Sequence, residues 1–385
     1  MAQSRCRKRD EKLAVNTFKA SAGQTLAALK QAWDAQKAYG FLASYMMHGQ
    51  PGVGKTQIAE SLARYTGGRL YDIRLTTIET SDLRGLPYYN HETKQTMYYR
   101  PEDLPSENVP AVLFLDELTS AAPHLQPTVY GLLQERRIGQ HRIPDSVMIV
   151  AAGNGVEDGA VAYEMGTAIS DRLIHLNVVA DPTDWVDNYA VPQGLHPAIV
   201  TFVKIRPDLL QTVGECLRQE KLIATTPRSW ERASQIMFNF QDRLTRMIFL
   251  AGTLGDSVAN EFMIISDDIE ATVQVDKMIK AQRPERIELY PTSMHGLNAM
   301  ILGVIGSVNK ATINACIEIL VDLASLSRLR KESDFKRHPL KELATFGLEQ
   351  LFKRAISDGL MTEILANSAY QEYEARREAE GLSNR

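Results

Sequence analysis

The sequence predicts an α/β protein, a parallel-sheet core followed by helices alone, and three observations carry that prediction. From Phe41 to about Val179 short apolar runs alternate with helical stretches, the pattern of parallel strands joined by crossover helices. A glycine-rich loop separates the first of those runs from the first of those helices. Beyond about Asp181 the strand signals fade and helical periodicity runs to the carboxyl terminus. A length of 385 residues fits two to three domains at about 150 residues each. A hydrophobic fraction of 44% with 23% charged residues is enough for a core and too apolar for global disorder.

Residues 1–16 read as a basic flexible arm. Thr17 to Ala38 reads as a helix with Phe18, Leu26, Leu29 and Trp33 on its apolar face. The strand candidates are FLASYMM, RLYDIRL, AVLFLDE, SVMIVAAGN and LIHLNVV, with helices from Lys55 and from near His124 to Glu135. Together they define a core domain over 17–180. Inside it lies an insert, 76–107, whose Tyr88, Tyr89, Tyr98 and Tyr99 flank a polar turn from His91 to Gln95. That pattern fits a hairpin with exposed tips and equally fits tyrosines covering the edge of the core. A helical lid over 181–281 and a C-terminal helical extension over 282–385 follow, divided near Arg283 to Pro291.

The charge balance is −4, from 43 basic and 47 acidic residues, so the chain as a whole gives no electrostatic reason to bind nucleic acid. Cys6, Cys216 and Cys316 lie far apart, which excludes a common zinc cluster and fits a reducing cytosol. The amino terminus lacks a signal-peptide apolar region. The best apolar run, Ala299 to Val308, is far below the ~18 residues of a membrane span. The expectation is therefore a cytoplasmic protein.

The strongest motif is Gly49-Gln50-Pro51-Gly52-Val53-Gly54-Lys55-Thr56, followed by Gln57 at the start of an amphipathic helix. It fits G-x-x-x-x-G-K-[ST] in full, in the strand-loop-helix context that the chemistry needs. Backbone N–H groups curl around phosphate oxygens and the helix aims its positive end at them. Lys55 would bridge the β- and γ-phosphates of ATP, and Thr56 would ligate Mg²⁺. In AVLFLDE a buried strand ends on Asp116 and Glu117, a costly ending for a core strand unless the carboxylates are used. Asp116 would hold the metal and Glu117 would polarise the attacking water. SVMIVAAGN ends on Asn154, whose amide could orient that water or could simply serve the turn with Gly155.

These residues resemble the AAA+ ATPases, and within them the MoxR-like branch. The segments that carry the resemblance are HGQPGVGKT, DLRGLPYY at Asp82 to Tyr89, VLFLDEL, QERRIG, AAGN, ISDRL and TTPR. It covers about Phe41 to Arg228 well and the later helices loosely. The resemblance implies that Asn154 is sensor 1, that Arg172 in Ile169-Ser170-Asp171-Arg172-Leu173 is the finger reaching a neighbouring subunit's nucleotide, and that Arg228 is sensor 2. It also implies a hexameric ring, a protein client with a von Willebrand factor A domain protein as partner, and a pore-facing role for the insert. The residues themselves leave Arg172 equally able to pair with Asp171 or Glu164. Thr226 and Pro227 make a good helix start, and an arginine on that first turn opposes the helix dipole unless an anion is near.

Three functions follow: a ring-forming, Mg²⁺-dependent ATPase that remodels a partner protein; a nucleic-acid motor, favoured by the arm Arg5 to Arg9 and by Arg328, Arg330, Lys331, Lys336 and Arg337; and a nucleotide-gated scaffold with little turnover. The negative net charge and the intact Glu117 favour the first.

Overall fold

The computed structural model describes residues 17–154, 171–330 and 334–379. The expected basic arm, Glu164, Ile169, Ser170 and Lys331 lie outside them. The chain forms two compact units. The first holds residues up to Asp181 together with Val213–Leu222 and Thr226–Arg228, and the second holds Pro182–Thr212, Ile223–Thr225 and Ser229 onward.

The first unit is built on a six-stranded sheet: β1 (Lys19–Ala20), β2 (Ser44–His48), β3 (Arg69–Arg74), β6 (Ala111–Asp116), β9 (Val147–Gly153) and β10 (Leu173–Val178), in the spatial order β1-β10-β2-β9-β6-β3. Every pairing in it is parallel. The apolar runs exist because both faces are covered. Leu113, Leu115, Ile149 and Met46 face one buried cluster, while Val112, Phe114, Val150 and Met47 face the other. Helix α1 (Ala22–Tyr39) and helix α2 (Lys55–Thr66) bury Leu29, Trp33, Ile58 and Leu62 in that second cluster.

The first helix starts later than its sequence suggests. Ser21 caps α1, its hydroxyl accepting from the Gln24 N–H while the Gln24 side chain accepts from the Ser21 N–H, a reciprocal box that fixes the start. The residues before it are extended, and Lys19–Ala20 pair with Asn177–Val178. Phe18, expected on the apolar helix face, is 82% exposed. The insert contains a short helix α3 (Thr80–Arg84) and an antiparallel hairpin of β4 (Pro87–Asn90) and β5 (Gln95–Tyr98). Tyr88 stacks on Tyr99 and the Arg84 guanidinium covers Tyr98, while Tyr89 and Tyr99 remain exposed. Helix α4 (Gln126–Glu135) leads into a second small hairpin, β7 (Arg137–Ile138) with β8 (His141–Arg142).

The second unit is helical among its described residues. Segments of the expected lid and of the expected extension pack together in it: helix Met294–Gly306 lies on helix Pro197–Ile205, and helix Ile313–Ala324 on Leu340–Ser357. Phe202, Trp230 and Phe262 form a fully buried aromatic trio. The apolar run from Ala299 is the interior helix of this unit, hydrophobic all round because it is surrounded. Among the described residues no helix is long and apolar enough to cross a membrane. Several buried polar groups of the unit are paired with one another. Asp322, 4% exposed, accepts from Arg283 at 2.7 Å and from Arg286 at 3.3 Å, and Arg286 also donates to Glu318 at 2.9 Å. Arg330, one of the cations of the expected basic cluster, donates to the carbonyls of Glu288 and Tyr290.

Candidate functional site

Four strand ends create the site. In a parallel sheet the carboxyl ends of the strands lie along one edge, where crossover loops leave room for a ligand. Here the register sets His48 beside Gly153, Leu115 beside Ala151 and Arg74 beside Asp116. The loop after β2, Asn154 after β9, the acids ending β6 and the residues after β3 therefore share that edge.

The glycine loop has the backbone its motif demands. Gly52 has φ +77° and Gly54 φ +105°, left-handed values that side chains resist. A Cβ at Gly52 would also lie 2.8 Å from the Thr226 hydroxyl, so the chain at Thr226–Arg228 closes over the loop within the same unit. Helix α2 opens directly after Gly54 with no acid in its first turn, leaving its positive end to an anion. Lys55 is buried, and its ammonium donates to the Gly49 carbonyl at 2.6 Å, the Gln50 carbonyl at 3.2 Å and Asn154 Oδ1 at 2.8 Å. The loop lysine and the Asn154 amide are thus in direct contact, although 99 residues apart in sequence.

The acids are arranged differently from one another. Asp116 Oδ1 accepts from the Glu117 N–H at 2.9 Å, and its other oxygen lies 3.9 Å from Arg74. Glu117 has φ +59° and ψ +35°, a left-handed conformation uncommon for a residue with a side chain and frequent where function requires it. Its Oε2 accepts from the Thr76 hydroxyl, and its Oε1 lies 3.9 Å from Arg74. A 3-10 turn, Leu118–Ser120, follows at once. From it the buried Thr119 donates to the Asn154 carbonyl at 3.0 Å.

Beneath the loop, His48 Nε2 and His175 Nδ1 are 2.7 Å apart with their rings stacked. Burial, then the neighbouring His175 and the Lys55 charge, hold His48 down to about 4, so it is neutral near pH 7. Its neutral ring adds no charge to a loop that already carries Lys55.

Lys55, Thr56, Asp116, Glu117 and Asn154 are brought to one edge, with Gly49, Gln50, Pro51, Gly52, Val53, Gly54 and Gln57 forming the cradle and its helix start. Arg228 lies exposed on the first turn of helix Pro227–Asn239, next to Thr226. Arg172 is elsewhere. It is exposed just before Leu173, which pairs with Ser44 at the opposite end of β2 from the loop. Among the described residues it pairs with no carboxylate, Asp171 included. Sequence reasoning missed Arg74, Thr76, Thr119 and the His48–His175 pair. The only signal for the first two was their position at the end of RLYDIRL, and it has meaning only once β3 is known to lie beside β6.

Comparison with known proteins agrees with this geometry. Residues 44–173 match the AAA domain (dynein-related subfamily). ATPase family gene 2 protein homolog B of Mus musculus is 32% identical over 104 residues, 27% of this chain and 12% of that protein. Its Bos taurus counterpart is 30% identical over 104 residues, 27% of this chain and 11% of that protein, so the chain spans only about an eighth of the curated relatives it matches. Among solved structures, a Thermotoga maritima RuvB variant superposes with TM-score 0.36 at 14% identity over 72% of this chain and 80% of that one. The Thermotoga maritima RuvB Holliday junction branch migration motor gives TM-score 0.35 at 14% identity over 74% and 80%. Those superpositions are too loose to bear on function. The part of the chain that builds the site, residues 44–173, carries the sequence pattern of an AAA domain of the dynein-related subfamily.

Proposed function

We propose that the chain is an ATPase of the AAA+ class, MoxR-like in its motifs, that works in the cytoplasm as a homo-oligomeric, hexameric ring to remodel, activate or mature a partner protein, with a von Willebrand factor A domain protein as the expected partner. The observation that carries the reading is the convergence of Lys55, Asn154, Asp116 and Glu117 on the carboxyl edge of one parallel sheet, around a complete phosphate loop.

The chemistry of each group follows from its place. ATP phosphates would take the N–H groups of the loop and the Lys55 ammonium, drawing the ammonium from Asn154. Glu117, once released by Thr76, would polarise the attacking water, and the Asn154 amide would orient it. The hard oxygens of Thr56 and Asp116 suit Mg²⁺, which prefers one or two carboxylates with phosphate oxygens and water. Bound there, the ion would offset charge on the β- and γ-phosphates. Arg228 would meet the same charge from the first turn of its helix.

Arg172 would act on a neighbour's nucleotide. At about 3.3 Å per residue, the five residues of β2 between its level and the loop put its own phosphates beyond the reach of an arginine side chain. A ring supplies the missing cation to every site, and the −4 net charge accords with a protein client.

The test is steady-state ATP hydrolysis by the native chain and by Glu117→Gln, with nucleotide binding measured alongside. The native chain should turn over ATP with Mg²⁺, and the variant should bind ATP yet lose about 10²–10⁴-fold in rate. Equal rates in the two would leave a nucleotide-gated scaffold.

A further inference from the structure

We propose that Thr119 is a positioning residue for hydrolysis, its hydroxyl holding the backbone of Asn154 so that the amide stays in place when nucleotide draws Lys55 away. The inference rests on the reading of the site as an ATPase site.

Among the described residues two side-chain hydrogen bonds reach Asn154: Lys55 donates to its Oδ1 at 2.8 Å and Thr119 donates to its carbonyl at 3.0 Å. The first cannot outlast nucleotide binding if the ammonium moves to a phosphate. The second does not involve the loop and remains. Thr119 is also well fixed. The left-handed Glu117 turns the chain back so that the following 3-10 turn packs on the end of β9. There a Cβ at Gly153 would lie 2.6 Å from both the Thr119 methyl and its hydroxyl, and 2.8 Å from Met46 Cε. Threonine and glycine therefore interlock, and through them the strand end bearing Glu117 is registered against the one bearing Asn154. Both groups must address the same water, and a displacement of about 1 Å in such a pair can cost on the order of 10²-fold in rate.

A purely structural threonine would affect stability and nucleotide binding along with turnover. A positioning threonine affects turnover through Asn154 alone. The full chain is assayed for ATP hydrolysis, for equilibrium binding of fluorescently labelled ATP, and for thermal stability, as the native protein and as Thr119→Val, Thr119→Ser, Asn154→Ala and the Thr119→Val/Asn154→Ala double variant. Valine keeps the shape and loses the hydroxyl; serine does the reverse. Thr119→Val should lose about 10- to 100-fold in kcat with the Kd for labelled ATP little changed, Thr119→Ser should retain most of the rate, and Thr119→Val should add nothing once Asn154 is alanine. If the valine variant does not fold, Thr119→Cys, a weak donor of near-serine size, takes its place in the series.

A native rate in the valine variant, a serine variant as slow as valine, or an undiminished further loss in the Asn154→Ala background would overturn the proposal. A native chain that does not hydrolyse ATP, or an Asn154→Ala variant at the native rate, would instead overturn the reading of the site, and the proposal with it.

Discussion

The two units use polar residues in opposite ways. In the second unit, the buried Asp322 is matched by Arg283 and Arg286, Arg286 by Glu318, and Arg330 by backbone carbonyls. Charge there is neutralised locally and holds helices together. At the sheet edge of the first unit, the ion pairs of Asp116 and Glu117 among the described residues are long, both to Arg74 at 3.9 Å, and Lys55 donates to the Gly49 and Gln50 carbonyls and to Asn154. The lesson is that carboxylates held at the end of a sheet strand by a long ion pair stay available for chemistry, whereas charges joined by short, buried ion pairs hold helices together.

The sharpest way to break this contrast is Arg172→Ala, at an exposed arginine that pairs with no carboxylate among the described residues. If it completes a neighbour's site, its loss should lower ATP turnover about 10³–10⁵-fold without weakening nucleotide binding to the isolated chain. A titration of rate against protein concentration should show native activity rising with assembly, and an unchanged rate in the variant would remove the trans role.

Next in size is Asp322→Ala in the second unit. Removing the carboxylate leaves Arg286, 2% exposed, buried with only Glu318, a change that costs about 3–5 kcal/mol in comparable buried pairs. Chemical denaturation should show the loss, while nucleotide binding per folded molecule stays native. If binding falls and stability does not, the division between charge that serves the site and charge that holds helices together is wrong.

Acid should expose a property that the two units share. His48 is held down to about 4 by burial, His175 and Lys55, and His196 in the second unit to about 4 by burial and then Arg246. Above pH 6.5 each is neutral in both folded and unfolded chains and has no effect. As pH falls from 6.5 toward 4, the unfolded chain binds protons that the folded one refuses, so stability is lost through that window and the loss is complete below it. Each histidine contributes on the order of 3 kcal/mol by this linkage, and His48→Gln or His196→Gln should flatten its share of the slope of unfolding free energy against pH.

The smallest expected effect is Thr76→Val. Freeing Glu117 from the hydroxyl should raise basal hydrolysis by about threefold, the scale of one exposed hydrogen bond. A slower variant would mean that Thr76 aids the active conformation.

Much of the site was legible because its signals are contiguous. The phosphate loop, the apolar run ending on Asp116 and Glu117, and the run ending on Asn154 each carry their meaning in a few residues. Thr76, Arg74 and His175 were not legible, because their importance comes from neighbours in space: β3 beside β6, and β10 beside β2. Thr119 depends on a positive φ at Glu117 that no composition signals. In the fold, β1, β7 and β8 have two residues each, too few for any periodicity, and the apolar Phe18 drew the first helix too far toward the amino terminus.

The oxygen cage around Lys55 has a thermodynamic corollary. An ammonium already coordinated by Gly49, Gln50 and Asn154 keeps the loop folded in advance, so arrival of a phosphate amounts to ligand exchange at one nitrogen, without the ordering of a segment. Binding should accordingly carry little ordering entropy and a small heat-capacity change.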